Sequence, residues 1–523
     1  MTGHAATSGP FALPAELLCA ILAYLPLKSR IAATHVCWSW RKVALQAAAD
    51  LWAQIYWGLS ELSSPNALAA RLARAGGAPI DLYLNLTPRQ LLTVIDIVAP
   101  YIGQLRYLRI RLGRFSTGAA GPGIPVNFSG ETAPLLSLLT RSPAPMLKFL
   151  HVSVVNDSLI LFMLILNKPL FQNVTPNLAF VNLDGIIYIR SDARHPTVSI
   201  LRLGSRKLDL PRHLGQLLGP FPGLEVLDIR SGRYGTLSGS MPTMPAKLRA
   251  LVLRSMTSQP LPPHILALIP HQGIKQVEYI LEGDVNQILV HPFPTSAESV
   301  LVQDLSRAVE TYIDFRPTDR EREDWDDDNL DDFVRGIFTE VIVVDDLGAK
   351  RVFNAPHMLF MPDFLNHLHV LSITDTALYI WYQRRRRGQL RARFDTLRLI
   401  NVYLLDKVAD YATDATSHSL FFLPPPYPFV FDAPFLETIS LTTHEDVTIA
   451  PEMVCDFLVY FLGRSMAPPL DLLELRNVRI LEHCVHEVAR LTLFAPTIVF
   501  YGEGLTWEKD VAHLALEADI DFR

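Results

Sequence analysis

Cysteine, charge and long apolar runs are all scarce in this chain of 523 residues, and each scarcity excludes a class of protein. The four cysteines, Cys19, Cys37, Cys455 and Cys484, show no paired spacing. They are expected to be reduced thiols rather than a disulfide framework. The longest strongly apolar run, Leu159 to Leu166, is less than half of the roughly 20 residues that span a bilayer. No membrane segment is expected. Only 19% of residues are charged, the net charge is -6 and the pI is about 6.2, which argues against bulk nucleic-acid binding. The N-terminus lacks the basic region of a secretory leader, so the expected location is cytoplasmic and/or nuclear, and the sequons at Asn85, Asn127 and Asn173 read as chance matches.

Catalytic signatures are missing as well. No G-x-x-x-x-G-K-[ST] phosphate loop occurs, and "GAAGPG" at Gly118 is too tightly spaced to serve as one. The G-x-S-x-G elbow is absent. The run "EHCVHE", Glu482 to Glu487, matches no zinc-protease order and has no second Cys or His pair at finger spacing. No catalytic residue, metal or cofactor is therefore assigned, and the chain is expected not to be an enzyme.

What is present begins with "LPAELLCAILAYLPLKSRIAATHVCWSWRKVALQAAADLW", Leu13 to Trp52. Leu13, Leu17, Leu18, Ile21, Leu22 and Leu25 recur at helical intervals, with Pro14 and Glu16 suited to a first turn and Pro26 to a stop. Ser29 is placed to cap a second helix carrying Ile31, Ala32 and Val36. Trp40, Val43, Ala44, Ala47 and Leu51 mark a third. A unit of about forty residues buries too small a share of its surface to be comfortably stable without a disulfide, a metal or a partner. A partner is the simplest completion.

The ordered set Leu-Pro-x-Glu-Leu-Leu, Ile21-Leu22, Leu25, Val36-Cys37, Trp40-Arg41 and Leu51-Trp52 resembles the F-box. The resemblance implies docking onto the Skp adaptor, and through it cullin, in a Skp–cullin–F-box ubiquitin ligase. The adaptor-binding residues it implies are Leu13, Pro14, Leu17, Ile21, Leu22, Leu25, Val36, Cys37, Trp40, Leu51 and Trp52. Ser29 and Ala32 depart from the family by lacking charged contacts.

Further along, short strand-like phrases recur: "LRYLRIRL" at Leu105, "LKFLHVSV" at Leu147, "VSILRLGS" at Val198, "LEVLDIRS" at Leu224, "LRALVLRS" at Leu248, "FTEVIVVD" at Phe338, "LHVLSITD" at Leu368 and "LETISLTT" at Leu436, among others. Apolar residues at positions one, four and six fit a half-buried strand entered by a turn. Many of the intervals are close to the leucine-rich-repeat period, and the array resembles an irregular leucine-rich-repeat solenoid with a parallel sheet. The alternative is an ordinary α/β domain with helical crossovers. The expected fold class is thus α+β or an α/β solenoid. Its parts are a disordered 1–12, a three-helix F-box over 13–57, a helical linker over 58–100, the repeat-like domain over 101–505 and a C-terminal capping helix over 506–523.

Positions five and seven of each phrase are expected to line the open face of the sheet. They give Arg109, Arg111, Arg202, Arg230 and Arg254, then Ser372, Thr374, Ser440 and Thr442. Arginine forks pair with carboxylate or phosphate, so this face is the candidate site for a protein substrate that is acidic or phosphorylated. The insert Asp314 to Asp332, with ten acidic residues against three arginines, is expected to be a disordered loop. The basic run at Arg384 to Arg387 is read as a solvated loop. Together these features imply an adaptor that presents a bound protein for ubiquitination; the alternatives are a scaffold acting outside the ligase and an enzyme hidden in the repeat region.

Overall fold

The computed structural model describes most of residues 13–501; the longer stretches outside the description are 1–12, 114–127, 155–163, 234–243, 256–270, 282–307, 318–336, 355–367, 379–391, 405–430, 462–468, 481–490 and 502–523. The chain divides into two units, Met1–Leu248 and Arg249–Arg523. The capping helix expected over 506–523, the basic run at Arg384 and the "EHCVHE" segment fall outside the described residues.

The first unit opens with three helices, α1 (Ala15–Tyr24), α2 (Leu27–Ala33) and α3 (Trp38–Gln46). Helix α1 begins directly after Pro14, whose missing N–H costs nothing at a helix start. Ser29 lies inside α2 rather than at its cap, because the helix already starts at Leu27. A parallel sheet follows. Its strands are β1 (Gln54–Trp57), β2 (Ile80–Leu86), β3 (Leu105–Leu112), β4 (Phe149–Val154), β6 (Phe180–Asp184), β8 (Ile200–Asp209) and β9 (Val226–Arg233), hydrogen-bonded in that order. The short strands β5 (Leu164–Leu166) and β7 (Ile186–Tyr188) pair with each other in parallel.

Helices α4 (Pro65–Arg74), α5 (Pro88–Val98) and α6 (Phe128–Arg141) provide the crossovers of the early strands. Ser64 caps α4 by accepting from the Ala67 N–H, and Thr87 with Gln90 forms a capping box on α5. Residues 58–100 are therefore not a helical linker. They include β2, whose sequence "IDLYLNL" alternates apolar and polar residues with the period of a strand. Alternate residues of the sheet, such as Leu82, Leu84, Leu108, Ile110, Leu150 and Val152, are wholly or almost wholly buried. Each such side chain contributes about 1.5–3 kcal/mol by leaving water.

The second unit contains β10 (Ala250–Ser255), β11 (Gln276–Leu281), β12 (Ala308–Pro317), β13 (Ile337–Asp345), β14 (Lys350–Asn354), β15 (Val370–Thr374), β17 (Leu399–Leu404), β19 (Thr438–Ile449), β20 (Leu472–Ile480) and β21 (Ile498–Tyr501). Short β16 (Ala392–Arg393) pairs with β18 (Phe431–Asp432). Most main-sheet pairings are parallel, but β13 runs antiparallel to both its neighbours, β12 and β14, and these three strands are inserted between β11 and β15. The phrase at Phe338 is therefore a middle strand of this antiparallel insertion, not another parallel repeat. The acidic stretch also starts differently from expectation: Asp314 to Pro317 are the end of β12, paired with β13, while 318–332 lie outside the described residues. The two units thus consist of N-terminal helices followed by mostly parallel, open sheet.

Candidate functional site

The first candidate surface is on the helical segment. Helix α1 carries two apolar stripes rather than the single face expected from spacing. Leu18 and Leu22 are buried with Ala33, Ala44, Leu51 and Trp52, and Leu25, Trp40 and Val43 pack against them. Leu13, Leu17, Ile21 and Tyr24 lie on the other stripe and are exposed, Tyr24 to 91%. Ile31, Val36, Trp38 and Leu45 are exposed as well. So many large apolar groups left in water by so small a segment make this surface a candidate for partner binding.

Two interactions fix this arrangement. Trp52 Nε1 donates to the Ala44 carbonyl at 2.7 Å in the buried core. Arg30 gathers carbonyls from the end of α1: Nε donates to Leu22 O at 3.1 Å, and Nη2 to Ala23 O at 3.0 Å and Leu25 O at 3.2 Å. Its Nη1 reaches the Leu51 carbonyl. Helix ends leave such carbonyls without intrahelical donors, so Arg30 acts as a C-terminal cap that also ties α1 to the segment after α3. Sequence reading missed Arg30; a guanidinium placed shortly after a helix stop was the available signal.

The eleven residues implied as adaptor-binding are therefore divided by the structure. Leu13, Pro14, Leu17, Ile21, Val36 and Cys37 are exposed, and Leu25 and Trp40 are half-buried. Leu22, Leu51 and Trp52 are in the segment's own core, where they hold the exposed stripe in place and do not themselves present a surface. Trp38 is exposed as well, covered on one side by the Lys42 ammonium at 5.1 Å. A groove of about 520 Å³ between α1 and α3 is lined by Ala15, Glu16, Cys19, Ala20, Ala23, Val43 and Gln46.

The second candidate surface is the face of the first unit's sheet opposite its Leu, Ile and Val rows. Strand alternation places Tyr107, Arg109 and Arg111 of β3 on it, next to Phe149, His151 and Ser153 of β4. Tyr83 of β2 is in register with Arg109, and Asn182 of β6 lies between His151 and Arg202 of β8. Aromatic rings form a ladder along this face: Tyr56 to Tyr83 at 4.4 Å, Tyr83 to Tyr107 at 4.7 Å, Tyr107 to Phe149 at 5.7 Å and Phe149 to Phe180 at 6.1 Å between centroids. The ladder was not anticipated, although Tyr107, Phe149 and Phe180 stand at the same, third position of the phrases that begin at Leu105, Leu147 and Leu178.

The arginines on this face are not equivalent. Arg106 grips Asp81 bidentately, Nε to Oδ1 at 2.8 Å and Nη2 to Oδ2 at 2.5 Å. Arg202 lies over Phe180 at 5.7 Å with Nε 3.5 Å from Asp228 Oδ2, an ion pair rather than a good hydrogen bond. Arg230 reaches Asp184 at 4.0 Å across Gly204. A Cβ at Gly204 would collide with the Asp184 carboxylate, so glycine leaves room for that pair. Arg109 and Arg111 have no ion pair or hydrogen bond among the described residues. His151 is held neutral, with its pKa lowered to about 4, mainly by burial and then by the Arg109, Arg202 and Arg111 charges. Arg254 belongs to the second unit and is itself engaged in an interaction.

In the second unit, Ser372, Thr374, Ser440 and Thr442 are buried, contrary to their expected place on an open face. The physical reason is visible beside them: Ile342, Val352 and Tyr403, on the same face by register, form a buried cluster. Asn401 Nδ2 donates to Ser372 Oγ at 3.0 Å, so the hydroxyl is satisfied without water. Among the described residues no group of three or more His, Cys, Asp and Glu side chains is placed to hold a metal ion, and no helix is long and apolar enough to cross a membrane.

No curated protein matches the chain. A family model described as F-box-like matches residues 11–56, the segment that buries Leu22, Leu51 and Trp52 and exposes Leu13, Leu17 and Ile21, and this match supports reading the chain as an F-box protein.

Proposed function

We propose that this chain is a non-enzymatic substrate receptor of a cullin-type ubiquitin ligase, acting in the cytoplasm, the nucleus or both. The N-terminal helices dock on a Skp-type adaptor, and the sheet that follows, read as an irregular leucine-rich-repeat array, holds a protein target. The mechanism is proximity: tethering raises the effective concentration of a target lysine at a thioester carried by other proteins. The observation that carries the reading is the exposed stripe Leu13, Leu17, Ile21 and Tyr24 within the F-box-like match. F-box domains typically bind Skp-type adaptors, and an adaptor role in ubiquitin ligase complexes follows from that resemblance.

The test is co-purification from cells of the wild type and of a Leu17→Asp, Ile21→Asp variant. Adaptor and cullin recovered with the wild type and lost with the variant support the receptor. Adaptor recovered without cullin means a scaffold outside the ligase, and neither recovered with the wild type overturns the docking assignment.

A further inference from the structure

The receptor reading leaves open what the first unit's sheet face holds. Three of its arginines, Arg106, Arg202 and Arg230, already have carboxylates in Asp81, Asp228 and Asp184. Arg109 and Arg111 have none among the described residues, and they are adjacent outward positions of β3. Tyr107 is the next outward position on the same strand, and it belongs to the aromatic ladder.

We propose that this face binds an acidic protein segment in extended conformation, pairing Arg111 and Arg109 with two alternate carboxylates and seating an apolar side chain on the ladder at Tyr107. The outward positions of a strand repeat every two residues, about 6.6 Å, and the same-side residues of an extended ligand repeat at the same interval. A ligand lying along β3 therefore meets cation, cation and ring in succession. Its pattern is acid-x-acid-x-apolar in one direction or the reverse in the other. Guanidinium forks suit carboxylates at such spacing.

The ladder also indicates what does not bind. Tyr83 is stacked between Tyr56 and Tyr107, at interplanar angles of 15° and 27°, and Tyr107 lies between Tyr83 and Phe149, so these two rings have their faces occupied. Bases need free ring faces to stack. The rings offer edges and phenol hydroxyls instead. Burial raises the Tyr83 and Tyr107 pKa values, so both phenols stay protonated and add no negative charge near the arginines. His151 is neutral and supplies a hydrogen-bonding ring nitrogen rather than a third cation.

That the bound segment belongs to a degradation target rests on the receptor reading; the binding itself does not. The experiment is a selection of random twelve-residue peptides displayed on phage, with the full chain as bait and no adaptor present. The expected result is enrichment of two acidic residues separated by one position, followed or preceded at the same spacing by Leu, Phe or Tyr. Synthetic versions of the selected peptides should bind at least tenfold more weakly to Arg109→Glu, Arg111→Glu, with the weakening greatest at low salt. Arg109→Gln, Arg111→Gln should reproduce the loss in case the charge reversal perturbs folding, as monitored by thermal unfolding. No enrichment, enrichment without acids, binding by both variants as tight as by the wild type, binding only of phosphorylated versions, or displacement by a single-stranded oligonucleotide would each overturn the proposal. Adaptor capture measured on the same variants stays unchanged, which separates failure of this site from failure of the docking assignment.

Discussion

Ser372, Thr374, Ser440 and Thr442 of the second unit are buried at strand positions whose counterparts on β3 and β4 of the first are half-buried to exposed. In the first, the face bearing Tyr83, Arg109, His151 and Asn182 is half-buried to exposed. In the second, Ser372 and Thr374 are fully buried on the corresponding face, beside Ile342, Val352 and Tyr403. Alternation along a strand decides which side chains share a face, not whether that face is covered. Side-chain chemistry carried the missing information. Arginine and tyrosine keep their polar ends wet, whereas a serine or threonine hydroxyl can be satisfied by one neighbour, as Asn401 does for Ser372.

That contrast is most severely tested by placing a charge at equivalent rows. Ser372→Arg buries an unpaired guanidinium and should cost about 4 kcal/mol or more, whereas Ser153→Arg on the open face should stay within about 0.5 kcal/mol. Urea denaturation of the two variants measures the difference, and equal costs would mean that the second unit's face is open after all. The helical segment repeats the contrast on a smaller scale. Leu22→Ala, at a fully buried position, should cost about 3 kcal/mol in that segment, and Leu17→Ala about 0.5 kcal/mol or less, read by hydrogen exchange of α1.

A pH titration separates the two faces differently. His151 on the open face and His195 in the first unit's core both have pKa values lowered to about 4, in each case chiefly by burial. His195 Nδ1 lies 3.1 Å from Thr175 Oγ1, and its ring stacks on Phe221. Between the ordinary histidine value of about 6.5 and about 4, the unfolded chain takes up protons that the folded chain does not. Stability is therefore expected to fall as pH drops through this window, and a ligand that brings carboxylates to Arg109 and Arg111 should move the His151 titration upward, visible by NMR. Asp81→Asn, which breaks the Arg106 fork, should cost about 1 kcal/mol or less in thermal unfolding, because Arg106 is nearly half exposed.

Much of this was legible in the sequence, for reasons that particular residues make plain. The three N-terminal helices follow from Leu18, Leu22, Ala44 and the prolines, and the strands at Leu105, Leu147, Leu224 and Leu368 follow from period-two alternation. Strand β2 was missed because the helical reading of 58–100 rested on Leu68, Leu72, Leu91, Leu92 and Ile95, which lie in the helices α4 and α5 on either side of it. The antiparallel insertion of β12 to β14 was hidden because alternation is identical in parallel and antiparallel strands; only the connections reveal direction. At the candidate sites, residue types were readable but their partners were not. Nothing local to Arg202 or Arg230 announces Asp228, on the next strand, or Asp184, two strands away across Gly204. Likewise, spacing could not separate Leu17 from Leu18, since adjacent residues on α1 take opposite roles.

The central claim is that the exposed stripe of α1 is one half of an interface whose other half is a Skp-type adaptor. The most direct measurement is a calorimetric titration of purified adaptor into the full chain, for the wild type and for Leu17→Asp, Ile21→Asp, with circular dichroism confirming that both are folded. The account predicts one-to-one binding by the wild type with a negative heat-capacity change, and affinity at least a hundredfold weaker for the variant. Equal affinity for the two proteins, or no binding by the wild type, would contradict it.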